Sequence, residues 1–167
     1  MSFSKTDFVD NSLPAISAAE LNKLGQGIED LFALLEGPKT AYTPSLGTWT
    51  LGNGTIAGAY KLVGNHLKFR IIFTVGSTTT TTANTPTFSL PAGFEAITEQ
   101  RQSVAATLRD ASVPDSYAGW AVVDAGSTVV NRIKTLDAND FVTSTVPHTW
   151  AAGDTIEING EIEVQTP

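Results

Sequence analysis

The sequence predicts a mainly β protein in which a short, coiled-coil-like N-terminal helix precedes an antiparallel, jelly-roll-like β-sandwich. Apolar residues recur with a helical period only in the N-terminal quarter of the chain. Further on they form short alternating runs rich in Thr, Val and Ile, and Gly, Pro, Asn and Asp separate these runs. The predicted divisions are an extended arm (1–15), a helix (16–37), a linker (38–44) and a β-sandwich domain (45–167).

Both ends of the helix are marked in the sequence. Ser17 and Glu20 have the spacing of a capping box, in which each side chain accepts a hydrogen bond from the other residue's backbone N–H. Gly37 can adopt a left-handed conformation after the last turn, and Pro38 cannot continue a helix. The sequence therefore predicts where the helix starts and stops.

The apolar residues of this helix are spaced alternately three and four positions apart, which is the spacing of a coiled-coil seam. Phe32 and Leu34 widen the apolar face beyond what a two-stranded coil needs, so the face suits three helices or a helix lying on a domain. Gly25 and Gly27 each cost about 1 kcal/mol relative to Ala, so the helix needs a partner. We expect a homotrimer, and the alternative is packing on the chain's own β domain. The expected oligomerisation residues are Leu21, Leu24, Ile28, Leu31, Phe32 and Leu35.

The β domain begins with a predicted meander. Asn53-Gly54 and Gly64-Asn65 are tight-turn signals between alternating runs. Gly160 interrupts the last run and suggests a bulge. The polar run 77–86 is rich in Thr and suggests a mobile loop. The predicted strands, about eight or nine in number, are 46–51, 55–63, 66–75, 87–90, 102–109, 117–123, 128–135, 141–145 and 155–165.

Composition narrows the possible functions. The chain has 167 residues, no cysteine, and a net charge of −7 without a basic cluster, which argues against disulfides, thiolate metal sites and nucleic-acid partners. No stretch resembles a signal peptide or a membrane-spanning segment, so we expect no membrane insertion. Common hydrolase, phosphate-binding and zinc-protease motifs are absent, so we expect no enzyme activity, no catalytic residues and no cofactor.

Few residues suggest a binding site. His66 and His148 have no second ligand at metal spacing, so we expect each to have a structural or exposed role. Asp137, Asn139 and Asp140 offer oxygen ligands in one turn, but the surrounding positions do not fit a calcium loop, and an Asx turn is the simpler interpretation. No metal site is therefore predicted. Exposed aromatic rings can bind sugars or peptides, and the candidates are Tyr117 and Trp120.

Several motifs resemble small structural proteins of tailed bacteriophages. AAELNKLGQGIEDL resembles the N-terminal helix of many minor tail and fibre proteins. GAYKLVGNHLKFRIIFTVG resembles a recurring phage strand–turn–strand pattern, and FSLP resembles its next strand. PHTWAAGDTIEINGEIE resembles its closing Trp, Gly-Asp turn and final strand. Together these motifs cover most of the chain.

The resemblance implies a virion protein, assembled in the host cytoplasm, that is commonly a homotrimer with an attachment helix and an outward-facing β domain. We therefore expect a tail fibre or receptor-binding component that contacts other virion proteins through its arm and helix and a host surface glycan or protein through its β domain. A capsid decoration protein or a head fibre or spike is the alternative. A glycan-degrading virion enzyme is a minor alternative, with candidate carboxylates at Asp115, Asp124, Asp137 and Asp140.

Overall fold

A computed structural model describes residues 17–113, 115–137 and 139–165. The predicted extended arm lies outside the described residues. The chain divides into two compact units, Met1–Gly37 and Pro38–Pro167. Each unit is described separately below.

The first unit contains the helix α1, Ala18–Glu36, which begins with the predicted capping box. The Glu20 N–H donates to Ser17 Oγ at 3.2 Å, and the Ser17 N–H donates to Glu20 Oε2 at 2.8 Å. These bonds satisfy two backbone donors that a helix start otherwise leaves unpaired. The predicted left-handed ending is wrong, because Gly37 has φ −57° and ψ 159°. This extended ψ is the conformation preferred by a residue that precedes a proline.

The residues that the structure describes in the second unit form nine antiparallel strands. All of them join one sheet in the order β1-β3-β4-β9-β6-β7-β8-β5-β2. The strands are β1 Thr40–Tyr42, β2 Leu46–Gly47, β3 Thr55–Val63, β4 His66–Thr74, β5 Thr87–Ser89, β6 Gln102–Asp110, β7 Asp115–Val123, β8 Val129–Thr135 and β9 Thr155–Glu163.

The sheet curls into a half-barrel, and this brings its two edges together. Edge strands β1 and β2 are separated in the chain by only residues 43–45, although they lie at opposite ends of the strand order. The Tyr42 hydroxyl, on β1, donates to the Ser89 carbonyl of β5 at 3.5 Å. The Ser45 N–H donates to Ser89 Oγ at 2.9 Å. These two hydrogen bonds connect β1 and the segment after it to β5, next to the other edge of the sheet.

These observations confirm the coarse fold class but not its finer form. The described part of the chain is mainly β, with one short helix and one curled antiparallel sheet. The nine strands form one hydrogen-bonded sheet, so the jelly-roll-like sandwich of two packed sheets is not confirmed. The coiled coil is not confirmed either, because it requires further copies of the helix.

The core lies on the inner face of the curled sheet. Leu67, Phe69, Ile71 and Phe73 alternate along β4, and all four are buried, as their period of two predicts. β9 contributes buried isoleucines from the neighbouring strand in the same way. Trp49 packs edge-to-face against Phe73, with ring centroids 6.3 Å apart.

Some local predictions are wrong. Residues 141–145 make only isolated bridges, and 46–51 forms a strand only in its first two residues. Gly160 pairs regularly with Phe69, so it is not a bulge; the register shift lies between Trp120 and Val122. A Cβ at Gly160 would overlap the Val104 side chain, so close packing explains this glycine. The run 77–86, predicted to be a mobile loop, hydrogen-bonds to residues 48–53 through the Thr50–Thr80 pair and the contacts of Asn53.

Candidate functional site

The predicted oligomerisation seam is exposed on α1. The side chains of Leu21, Leu24, Ile28, Leu31 and Phe32 retain between 48% and 59% of their accessible surface. The side chain of Leu35 lies outside the described set. Exposed apolar side chains in a continuous stripe usually mark an interaction surface.

The two glycines of α1, Gly25 and Gly27, have open space around them. A Cβ built at Gly25 or Gly27 would meet no atom within 4 Å. Neither position therefore requires glycine because of packing within a single chain.

The two aromatic candidates for surface binding do not form one platform. Tyr117 is partly buried against the core and stacks on His148, with ring centroids 5.6 Å apart. Trp120 is the cross-strand partner of Ala105, which is exposed. The Trp120 side chain therefore lies on the outer face of the sheet, opposite to the face that carries Tyr117. Lys134 Nζ lies 5.8 Å from the centroid of the Trp120 ring and 4.5 Å from that of Phe141. Trp120 is therefore part of an aromatic–cation cluster on the outer face.

The outer face of β4 and β9 carries paired charges. Arg70 Nη2 lies 3.0 Å from Glu157 Oε1, and Lys68 Nζ lies 3.4 Å from Glu161 Oε2. His66, the first of the two histidines, lies 2.9 Å from the other Glu161 oxygen and is exposed. A hydrogen bond from the Asn159 amide, followed by that from Arg70, lowers the pKa of Glu157. These side chains neutralise one another across the strands, as exposed cross-strand pairs commonly do.

The candidate carboxylates for glycan cleavage have ordinary structural surroundings. Asp124 accepts a hydrogen bond from Asn131, and its oxygens lie 2.8 Å from Arg101 Nε and 3.3 Å from Arg132 Nη2. These contacts, with the Asn131 bond first, lower the pKa of Asp124. Asp115 caps the start of β7, where its Oδ1 accepts the Ser116 N–H at 2.8 Å.

The turn that contains Asp137, Asn139 and Asp140 is exposed. Asp137 and Asp140 are exposed, and Asn139 has φ +53°, a conformation that asparagine tolerates in turns. Within the described ranges, neither aspartate belongs to a group of three potential metal ligands.

Such a group does exist elsewhere in the β domain. Asp110, His148 and Asp154 each place one potential ligand atom within 4.8 Å of the other two. Asp110 is 8% exposed and Asp154 is 1% exposed. The His148 side chain is 9% exposed. We call these three residues the buried triad.

Backbone donors hold both carboxylates of the buried triad. Asp154 Oδ1 accepts the Ala111 N–H at 2.9 Å, and its Oδ2 accepts the Ala151 N–H at 2.7 Å. Asp110 Oδ1 accepts from the N–H and the hydroxyl of Ser112, at 2.9 and 2.7 Å. The hydrogen bonds from Ser112, that of the hydroxyl first and that of the backbone N–H second, lower the pKa of Asp110. Asp110 is therefore ionised at neutral pH.

The imidazole of His148 is held between aromatic rings. It lies between Tyr117 and Trp150, with centroid distances of 5.6 and 4.5 Å. His148 Nε2 lies 3.1 Å from Asp154 Oδ2. Because an ionised carboxylate can only accept hydrogen bonds, Nε2 is the nitrogen that carries the proton in this contact. Nδ1 is buried without a hydrogen-bond partner in the described part of the chain.

Sequence reasoning considered His148 alone and missed the buried triad. His148 and Asp154 lie six residues apart, but Asp110 is more than thirty residues away in the chain. The pairing of Arg109 with Thr155 places the end of β6 beside the start of β9, and this brings Asp110 close to Asp154. The motif PHTWAAGD, which contains His148 and Asp154, was visible in the sequence. The third member of the triad, Asp110, joins them only through the order of the strands.

Comparisons with protein-family models, curated proteins and solved structures found no match for this chain. In the described part of the chain, no helix has the length and apolar character needed to cross a membrane.

Proposed function

We propose that the protein is a non-enzymatic structural protein of a bacteriophage virion, and that it acts as a trimeric tail fibre or receptor-binding component. The observation that carries this proposal is the apolar seam on α1, whose side chains are about half exposed in a single chain. The motifs that resemble phage tail and fibre proteins are the reason for proposing that the protein belongs to a virion. The jelly-roll-like classification of the β domain is part of the same proposal.

The seam offers enough apolar surface to drive assembly. Burying the exposed half of five such side chains contributes about 4–7 kcal/mol per helix. The two glycines oppose helix formation by about 2 kcal/mol in total. Most of the stability of a protein helix comes from the packing of its apolar face, so assembly and helix formation would be coupled. Three copies suit the wide face, because a three-stranded coil can bury Phe32 together with the residues at the seam positions.

The β domain would then supply the contact with the host. In three chains joined through parallel helices, three copies of the domain would be presented together, which strengthens weak contacts with a repetitive surface such as a cell-wall glycan. The paired charges on the outer face and the cluster at Trp120 are the exposed features available for such contacts.

The molar mass in solution tests the assembly. Light scattering behind size exclusion should give three times the chain mass for the full chain. Ile28→Asp places a charge in the seam and should give a monomer. Asn22→Asp adds the same charge on the helix but off the seam, and should leave the trimer intact. A monomeric wild-type chain would refute the autonomous trimer.

Labelling of virus particles tests the biological setting. Antibodies against the protein should label the tails of purified particles whose genome encodes it, and free protein should compete with adsorption to host cells. Label on the head, combined with unchanged adsorption, would favour the decoration alternative. Absence of label from the particles would end the virion proposal.

A further inference from the structure

We propose that Asp110, His148 and Asp154 form a binding site for a divalent cation of the zinc type. This inference does not depend on the proposed virion function. It revises the expectation from sequence that the chain has no metal site.

The first argument is the burial of charge. Two carboxylates with little exposure are accompanied by one imidazole, so the group carries a net charge of −1 even when the imidazole is protonated. Buried charges are stable when they are paired or when they coordinate a metal. The backbone N–H groups of Ala111 and Ala151 donate to Asp154, and that of Ser112 donates to Asp110, so both carboxylates are held in fixed positions.

The second argument is the position of the His148 ring. The side chain is 9% exposed, and its Nε2 lies 3.1 Å from Asp154 Oδ2. A metal binds a deprotonated imidazole nitrogen, so an ion at this place would replace the proton that Nε2 donates to Asp154.

The third argument is the geometry. Zinc binds nitrogen and carboxylate oxygen at about 2.0–2.2 Å, so two ligands of a tetrahedral ion lie about 3.3–3.6 Å apart. His148 Nε2 and Asp154 Oδ2 are already 3.1 Å apart, and the third ligand atom lies within 4.8 Å of both. Side-chain shifts of about 1.5 Å or less would therefore bring the three ligand atoms around one ion.

The chemistry of the ligands selects the type of ion. One imidazole with two carboxylates suits zinc, which favours few ligands that include nitrogen. Calcium requires about six to eight oxygen ligands, and this group offers too few of them. Three protein ligands leave a fourth position of a tetrahedral zinc ion for water or another group.

The position of the group indicates what the ion would do. Asp110 ends β6, Asp154 precedes β9, and His148 belongs to the long segment between β8 and β9, which has no strand of its own. An ion bound to all three residues would connect this segment to the central strands β6 and β9. Because such an ion binds the folded chain, it would raise the stability of the β domain.

The test uses the full chain, freed of metal with a chelator and then titrated with Zn²⁺. Calorimetry should show one site per chain, and the thermal midpoint should rise with zinc concentration. Ca²⁺ at the same concentrations should leave the midpoint unchanged. Losing a group that only hydrogen-bonds to a ligand costs about 10–100-fold in affinity, so Asp110→Asn and His148→Gln should each weaken zinc binding by at least that much.

The chain offers a matched control in its other histidine. His66→Gln removes the exposed imidazole and should leave zinc affinity unchanged. In nitrogen-detected NMR of the wild-type chain, zinc should alter the ring nitrogens of His148 and leave those of His66 unaltered; the signals are assigned with His66→Gln. This readout does not require the His148 variant to fold. Absence of zinc binding, or a response confined to His66, would overturn the proposal.

Discussion

Gly58 of β3 allows the edge strand β1 to pack on the sheet. Tyr42 of β1 pairs in register with Gly58. A Cβ at Gly58 would overlap Tyr42 Cε1 and lie only 2.7 Å from Cζ of the same ring. The ring also packs edge-to-face on Tyr60, with centroids 5.7 Å apart, and its burial raises the pKa of the Tyr42 hydroxyl. Gly58→Ala must therefore displace Tyr42 and loosen β1.

The expected effect of Gly58→Ala changes sign with the residue at position 42. In the wild-type background, inserting a methyl group into this contact should lower the free energy of unfolding by about 1–3 kcal/mol. Tyr42→Ala alone should cost about 2–4 kcal/mol, because it removes the ring and its aromatic contact. With the ring absent, Gly58→Ala should instead stabilise the protein by about 0.5–1 kcal/mol, since glycine is unfavourable within a strand. The coupling energy between the two positions is then about 1.5–4 kcal/mol.

Urea unfolding of the four proteins in this cycle measures the coupling. The slope of the free energy of unfolding against urea concentration should be the same in all four, so that differences in midpoint report stability. An equal effect of Gly58→Ala in both backgrounds would show that the ring contact is not the reason for glycine at this position.

Two further predictions concern the helix start and a carboxylate. Ser17→Ala should lower the stability of α1 by about 1 kcal/mol, because it removes one half of the capping box; amide hydrogen exchange in the first turns should become about fivefold faster, and unchanged exchange would contradict the role of the cap. Asp124→Asn should lower the free energy of unfolding at pH 7 by about 1 kcal/mol, because the hydrogen bonds from Asn131 and Arg101 and the ion pair with Arg132 weaken. The pKa of Asp124 is lower in the folded protein, so its stabilising contribution is present above the ordinary value of 3.8 and is lost as the pH falls through the folded-state pKa. The difference between wild type and Asp124→Asn in urea unfolding should therefore vanish at acidic pH, and a difference that persists at pH values well below the ordinary one would contradict this explanation.

Comparison of particular residues shows which predictions local sequence could support. The capping box of Ser17 and Glu20 needed only four consecutive positions, and the structure confirms it. The alternation along β4 places Leu67, Phe69, Ile71 and Phe73 on one face, because successive side chains of a strand point to opposite sides, and that face is buried. Gly160 was misinterpreted as a bulge, since the Val104 side chain that requires glycine there lies on another strand.

The same distinction applies to the candidate sites. The seam of α1 could be listed from its spacing, because a helix places residues three and four positions apart on one face. The buried triad could not, because Asp110 meets Asp154 only through the pairing of β6 with β9. The sequence by itself determined the mainly β class, the helix start and the alternation of the long strands, all of which depend on neighbours a few positions away. Only the tertiary structure decided the single curled sheet, the glycine contacts and the buried triad, because each depends on which distant strands lie side by side.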